Sequence, residues 1–177
     1  MNQHVENSSY RERLLEHLFI GELLKLSWTS GKCSLEISKP EVDRSGYDLI
    51  AEANGFIRHI QLKTSFVGST TRSQKVHVSL GGKPSGCVVL IHFDKESLGL
   101  GPYFYLGGNP GEPLPSLADH KVAKHTKGNA LGIKSERSNI RTIPNSAFAR
   151  IDTIQQLYVR LFGDQKFIQD NIGFQSN

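Results

Sequence analysis

The sequence predicts one α/β domain, a mixed central β-sheet flanked by helices. Three observations predict it. An apolar repeat at helical spacing opens the chain, segments rich in β-branched and aromatic residues follow, and a second apolar stripe at helical spacing lies near the end. A chain of 177 residues with 37% hydrophobic content buries one good core and is too short for two ordinary ones, so a single domain is expected over 1–177.

The first helix is expected from about Tyr10 to Ser27. Leu15, Leu18, Phe19, Leu23 and Leu26 recur at three- and four-residue spacing, and Ser9 with Glu12 has the pattern of a capping box. Strands are expected in CSLEIS, YDLIAEA, FIRHIQLKT, KVHVSL and CVVLIHFD, which begin at Cys33, Tyr47, Phe56, Lys75 and Cys87. The Gly/Pro-rich stretch 99–117 reads as a loop holding one short strand. A last helix at about 152–162 carries Ile154, Leu157, Tyr158, Leu161 and Phe162, opens with Asp152 and Gln155 as a second capping box, and stops at Gly163. The residues beyond it are expected to fray.

Asn54-Gly55 between two strand-like runs is a hairpin signal, because a two-residue type I′ turn needs positive φ at both positions. With those residues as the turn, Ala53 pairs with Phe56 and Asp48 faces Gln61. Alternation then places Asp48, Ile50, Glu52, Ile57, His59, Gln61 and Lys63 on one face. Tyr47, Leu49, Ala51, Ala53, Phe56, Ile60 and Leu62 take the core face, with Arg58 as its one charged member. Asp48 and Gln61 become cross-strand neighbours, and Lys63 lies on the diagonal within reach. A carboxylate and an amide oxygen suit a hard divalent cation, and a lysine beside them can position a water or stabilise charge on a phosphate. A half-exposed hairpin with no further role shows the same alternation.

Composition narrows the classes. The N-terminal stretch is polar and no apolar run approaches the ~18 residues that span a bilayer, so a soluble, cytoplasmic protein without membrane contact is expected. Cys33 and Cys87 stand far apart with no CxxC pattern and are expected to be buried free thiols. The net charge is +4, and the segment from Asp119 to Arg141 holds six Lys/Arg against two acids, an excess equal to that of the whole chain. Such a run is either a solvated face or a surface for a nucleic-acid backbone.

A glutamate on an opening helix, an Asp on a strand and (Glu/Gln)-x-Lys on the next, within SGYDLIAEANGFIRHIQLKTS, resembles the PD-(D/E)XK nuclease superfamily, with its restriction-endonuclease-like fold. The layout is most similar to archaeal Holliday-junction resolvases and small restriction-type endonucleases. The likeness runs from about Tyr10 to Ser65, within a motif core of about 10–95. The resemblance implies a Mg²⁺- (or Mn²⁺-) dependent DNA endonuclease in which Glu16, Asp48 and Gln61 surround the metal and Lys63 stands beside the attacking water. Tyr47 occupies the motif proline position, which is not a ligand, and Gln61 the position where Glu is usual. Glu16 matches the helical acid because Trp28 marks the helix end; Glu12 and Glu22 are the alternatives.

DNA is then the expected partner, held by Arg72, Lys75, Lys121, Lys124, Lys127, Lys134, Arg137 and Arg141. A two-fold homodimer is an option by resemblance alone. The rival is a non-catalytic module of the same fold that binds nucleic acid or protein. Other residues carry weaker signals. Asp43 reads as a turn residue, His59 as a surface histidine, His92 as a core histidine, and His120 with His125 lack the spacing of a helical zinc pair. No G-x-S-x-G and no P-loop spacing occurs.

Overall fold

The computed structural model describes residues 3–42, 45–125 and 134–163. Three helices, α1 (Gln3–Glu6), α2 (Ser8–Thr29) and α3 (Ile154–Phe162), accompany nine strands. Six of these, β1 (Glu36–Ser38), β2 (Leu49–Ala53), β3 (Phe56–Phe66), β5 (Gly86–Phe93), β6 (Leu100–Gly107) and β9 (Ala149–Ile151), form one sheet in the order β1-β2-β3-β5-β6-β9. Only β3 and β5 pair in parallel, so the expected mixed central sheet is present. The remaining strands, β4 (Ser73–His77), β7 (Lys121–Lys124) and β8 (Glu136–Pro144), make a second, antiparallel sheet in the order β4-β8-β7.

The expectation of flanking helices holds for one face. Phe19 and Leu23 of α2 and Leu157, Leu161 and Phe162 of α3 pack on Leu49, Ala51, Ile60, Cys87, Val89 and Tyr105. The other face is covered by the second sheet, where Val76, Leu80 and Ile143 meet Val88 and Leu90. The connection between parallel strands β3 and β5 therefore runs through β4 and a 3₁₀ turn at Val78–Gly82 rather than through a helix. Covered on both sides, β5 has the continuous apolar character of a central strand and only His92 is not fully buried.

Helix α2 buries Leu15, Phe19, Leu23 and Ser27, four residues apart along one stripe, while Leu18 points outward. Ser27 is buried because its hydroxyl accepts the N–H groups of Ser34 and Leu35, folding the chain back toward β1. The Ser9 capping box does not form. The helix begins at Ser8 with Asn7 at its N-cap, which places Ser9 inside the first turn. The second box is displaced by one residue: Thr153 caps Gln156 N–H, and the Gln156 side chain accepts from Asp152 N–H.

The hairpin forms in the predicted register from Ala53↔Phe56 to Leu49↔Ile60, with Asn54 at φ 53° and Gly55 at φ 79°. Its turn also secures α3. Arg58, fully buried, donates from Nε to Leu161 O at 2.8 Å and from Nη2 to Arg160 O and Gly108 O. Asn54 Nδ2 reaches Phe162 O, and Gly163 N–H closes on Val159 O. All four terminal carbonyls of α3 thus have donors, which accounts for a guanidinium on the core face.

Candidate functional site

Asp48 stands where β2 and β3 part. The ladder ends at Leu49↔Ile60, and Asp48 N–H donates to Ile60 O at 2.9 Å, so that Asp48 and Leu49 both face Ile60. The end of the ladder here corrects the expected direct pairing of Asp48 with Gln61. Asp48 Oδ2 instead accepts the backbone N–H of Leu62 at 2.6 Å, the donor that an unbroken ladder would give to Tyr47. The slip also moves Tyr47 off the core face it was expected to share with Leu49. Its ring meets His59 edge-on at 4.9 Å and Lys83 Nζ lies 5.4 Å from it. The turn before Asp48 is pinned by Gly46, at φ 74°, where a Cβ would fall 2.4 Å from His77 Cβ.

Beyond the end of that ladder β3 runs on to Phe66 with β5 on one side and no β2 partner on the other. A recess of about 700 Å³ lies against this part of the strand, lined by Glu12, Arg13 and Glu16 of α2, Lys39 after β1, Asp48, and Leu62–Thr64. It brings together three of the four expected catalytic residues: Glu16, Asp48 and Lys63. Glu16 is nearly buried; one of its oxygens takes the Lys39 ammonium and the other lies 3.4 Å from Arg13 Nη1. Of the alternatives for the helical acid, Glu12 lines the same recess and Glu22 lines a separate hollow with Tyr103 and Asp152. Burial and then the Glu22 charge push the Tyr103 hydroxyl up to about 12.

Gln61 does not line the recess. It lies one residue before Leu62, beside Val88 in the parallel ladder, and is 8% exposed. Its Oε1 has no hydrogen-bond partner among the described residues. An orphaned buried carbonyl is costly unless something completes it, and a hard cation is one such group. Two carboxylates and an amide oxygen fit Mg²⁺ or Mn²⁺ in donor chemistry, and one Glu16 oxygen is paired with the Lys39 ammonium in this structure. Among the described residues no three His, Cys, Asp or Glu side chains gather as a metal cluster. A donor set built here would need Gln61 as well as the two acids.

The expected DNA contacts lie elsewhere. Lys75, Lys121, Lys124 and Arg137 are exposed on the second sheet, where the register aligns Lys75, Thr142 and Lys121 in one row; Arg72 and Lys134 are exposed just before β4 and β8. Arg141 is partly buried and folds back on Ser138 O at 2.6 Å. None of these residues lines the recess, and Lys127 lies outside the described residues, as does Asp43. His59 bonds Pro84 O at 2.8 Å, and His92 packs on Phe104 with its pKa lowered by burial and then by Arg150. Both cysteines are free, but Cys33 is exposed rather than buried. Arg13 and Lys39 were not singled out by the sequence: Arg13 is readable three residues before Glu16, whereas nothing in the order of residues brings Lys39 to the helix.

No helix among the described residues is long and apolar enough to cross a membrane. No protein-family model matches the chain, and no curated protein matches it.

Proposed function

We propose that this chain is a Mg²⁺- or Mn²⁺-dependent nuclease with a restriction-endonuclease-like core that hydrolyses phosphodiester bonds in DNA. The observation that carries the reading is the meeting of Glu16, Asp48 and Lys63 at one recess beside the open end of β3; the unpartnered Gln61 carbonyl lies on the same strand, two residues before Lys63. A divalent cation bound there would polarise the scissile phosphate and make a coordinated water a better nucleophile.

The protein's own groups supply the rest. The Leu62 N–H fixes one Asp48 oxygen and so orients the carboxylate. With Glu16 and the Gln61 carbonyl, Asp48 would offer such a cation oxygen donors carrying two negative charges rather than three. The Lys63 ammonium serves to hold the attacking water and to stabilise negative charge as it develops on phosphate oxygens. The row Lys75–Lys121 offers phosphate contacts at a distance from the chemistry.

Incubation with plasmid, single-stranded and branched DNA, with and without Mg²⁺ or Mn²⁺, tests the reading: metal-dependent strand scission is expected. The absence of a three-carboxylate cluster among the described residues favours one rival, a DNA-binding module of this fold. Salt-dependent DNA binding with no scission in either metal would establish it.

A further inference from the structure

The recess is lined by four carboxylates and three cations, and Lys39 is the cation that spans it. It follows β1 directly, lies 23 residues from Glu16 in sequence, and places its ammonium on a carboxylate oxygen of that residue. Arg13, on the other oxygen, is largely exposed at 3.4 Å and contributes little. Resting on the nuclease reading above, we propose that Lys39 is an exchangeable counter-cation: it neutralises Glu16 while the metal is absent and passes to a DNA phosphate when a divalent cation takes Glu16.

Charge and reach both favour the exchange. Glu16 is nearly buried, so its charge is better paired than bare in the resting protein. A divalent cation on Glu16 repels the ammonium from its partner. Lys39 is one-third exposed on a flexible four-carbon stem and lines the same recess as Asp48 and Lys63, where the nuclease reading brings a backbone phosphate. Metal and DNA then bind cooperatively, because metal binding frees a cation for the phosphate, and linkage requires DNA to tighten metal binding by the same factor.

Two titrations on the full chain test this. Calorimetry of Mg²⁺ into wild type and Lys39→Met, without DNA, should show the variant binding roughly two- to fivefold tighter, the range an ion pair of this exposure represents as a competitor. Anisotropy with a short labelled duplex should show that Ca²⁺, used as a probe cation, tightens wild-type DNA binding more than that of Lys39→Met. With Ca²⁺, the variant's slope of log affinity against log salt should be lower than wild type by about 0.9. Without Ca²⁺ the two slopes should agree, and Lys39→Arg should restore the Ca²⁺-dependent slope. Equal Mg²⁺ affinity in wild type and variant, or a slope deficit of the same size with and without Ca²⁺, overturns the exchange and leaves the nuclease reading standing. No Mg²⁺ binding by either protein removes the metal site and the exchange together.

Discussion

Asp48 Oδ2 accepts the backbone N–H of Leu62 at 2.6 Å, so a side chain takes the place of a strand partner where β2 leaves β3. The same hydrogen bond does two things. It satisfies a donor at the open edge of the sheet, and it sets the orientation of the carboxylate that the nuclease reading places on the metal. Asp48→Ala should lose about 1–3 kcal/mol of stability by leaving that donor without its acceptor, whereas Asp48→Asn keeps an oxygen there and should lose less. Urea unfolding of the three proteins measures this. Equal midpoints for wild type and Asp48→Ala would mean that water replaces the carboxylate at no cost.

Gln61 should behave differently from an ordinary buried amide. Gln61→Glu places a carboxylate in a nearly buried site, so it should destabilise the protein in EDTA, bind Mg²⁺ or Mn²⁺ more tightly than wild type, and regain stability when the metal is added. Melting curves with and without metal, beside calorimetry, check both parts. Equal or weaker metal affinity in the variant would show that Gln61 is not a ligand.

Arg58 is predicted to be structural. Its guanidinium holds carbonyls of Gly108, Arg160 and Leu161 inside the core, and Arg58→Met should cost about 3 kcal/mol or more. Lysine cannot present the same fork of donors, so Arg58→Lys should recover only part of the loss. Urea midpoints give the comparison; an Arg58→Met protein as stable as wild type would contradict the capping role.

The two thiols should separate by reactivity. Cys33 is exposed, while burial is the largest cause raising Cys87 from an ordinary value of 9.0 to about 12. A thiol-specific reagent should therefore label one cysteine in the native protein and two in urea. The sign of the pH effect follows: a raised folded pKa favours folding while the thiol stays protonated, so this contribution is lost as pH rises from about 9 to about 12. The urea midpoint of wild type should fall over that window more steeply than that of Cys87→Ala. Parallel curves would remove the thiol from the alkaline transition.

On the second sheet, Lys75 and Lys121 share one row with Thr142. If that row lies along a DNA backbone, replacing both lysines by Gln should lower the salt slope by roughly 0.9 for each phosphate left unneutralised, with the same effect on any duplex sequence. An unchanged slope would place the backbone elsewhere.

The hairpin register was legible in the sequence because Asn54-Gly55 admits few other conformations, and from that turn each pair back to Leu49↔Ile60 follows by counting. The end of the ladder at Asp48 was not legible: no glycine or proline marks the position itself, and a slip of one residue there sends Tyr47 to the opposite face. Helix α3 was readable from its stripe and from Gly163, yet its cap lay one residue later than Asp152, at Thr153, whose hydroxyl accepts the Gln156 N–H. The strands of the basic segment were missed since KVAK is four residues long and the first half of β8 is exposed on every residue, leaving no alternation to read. The recess was half legible. Asp48 and Lys63 follow from the hairpin and Glu16 from the resemblance, but the arrival of Lys39 is a tertiary fact.

The proposed metal-dependent phosphodiester hydrolysis at the recess is tested most directly by DNA cleavage with wild type, Asp48→Asn and Lys63→Ala side by side in saturating Mn²⁺. Wild type should cleave, both variants should be slower by roughly a hundredfold or more, and both should melt within a few degrees of wild type. Turnover near the wild-type rate in either folded variant would contradict the assignment of these residues and the nuclease reading with it.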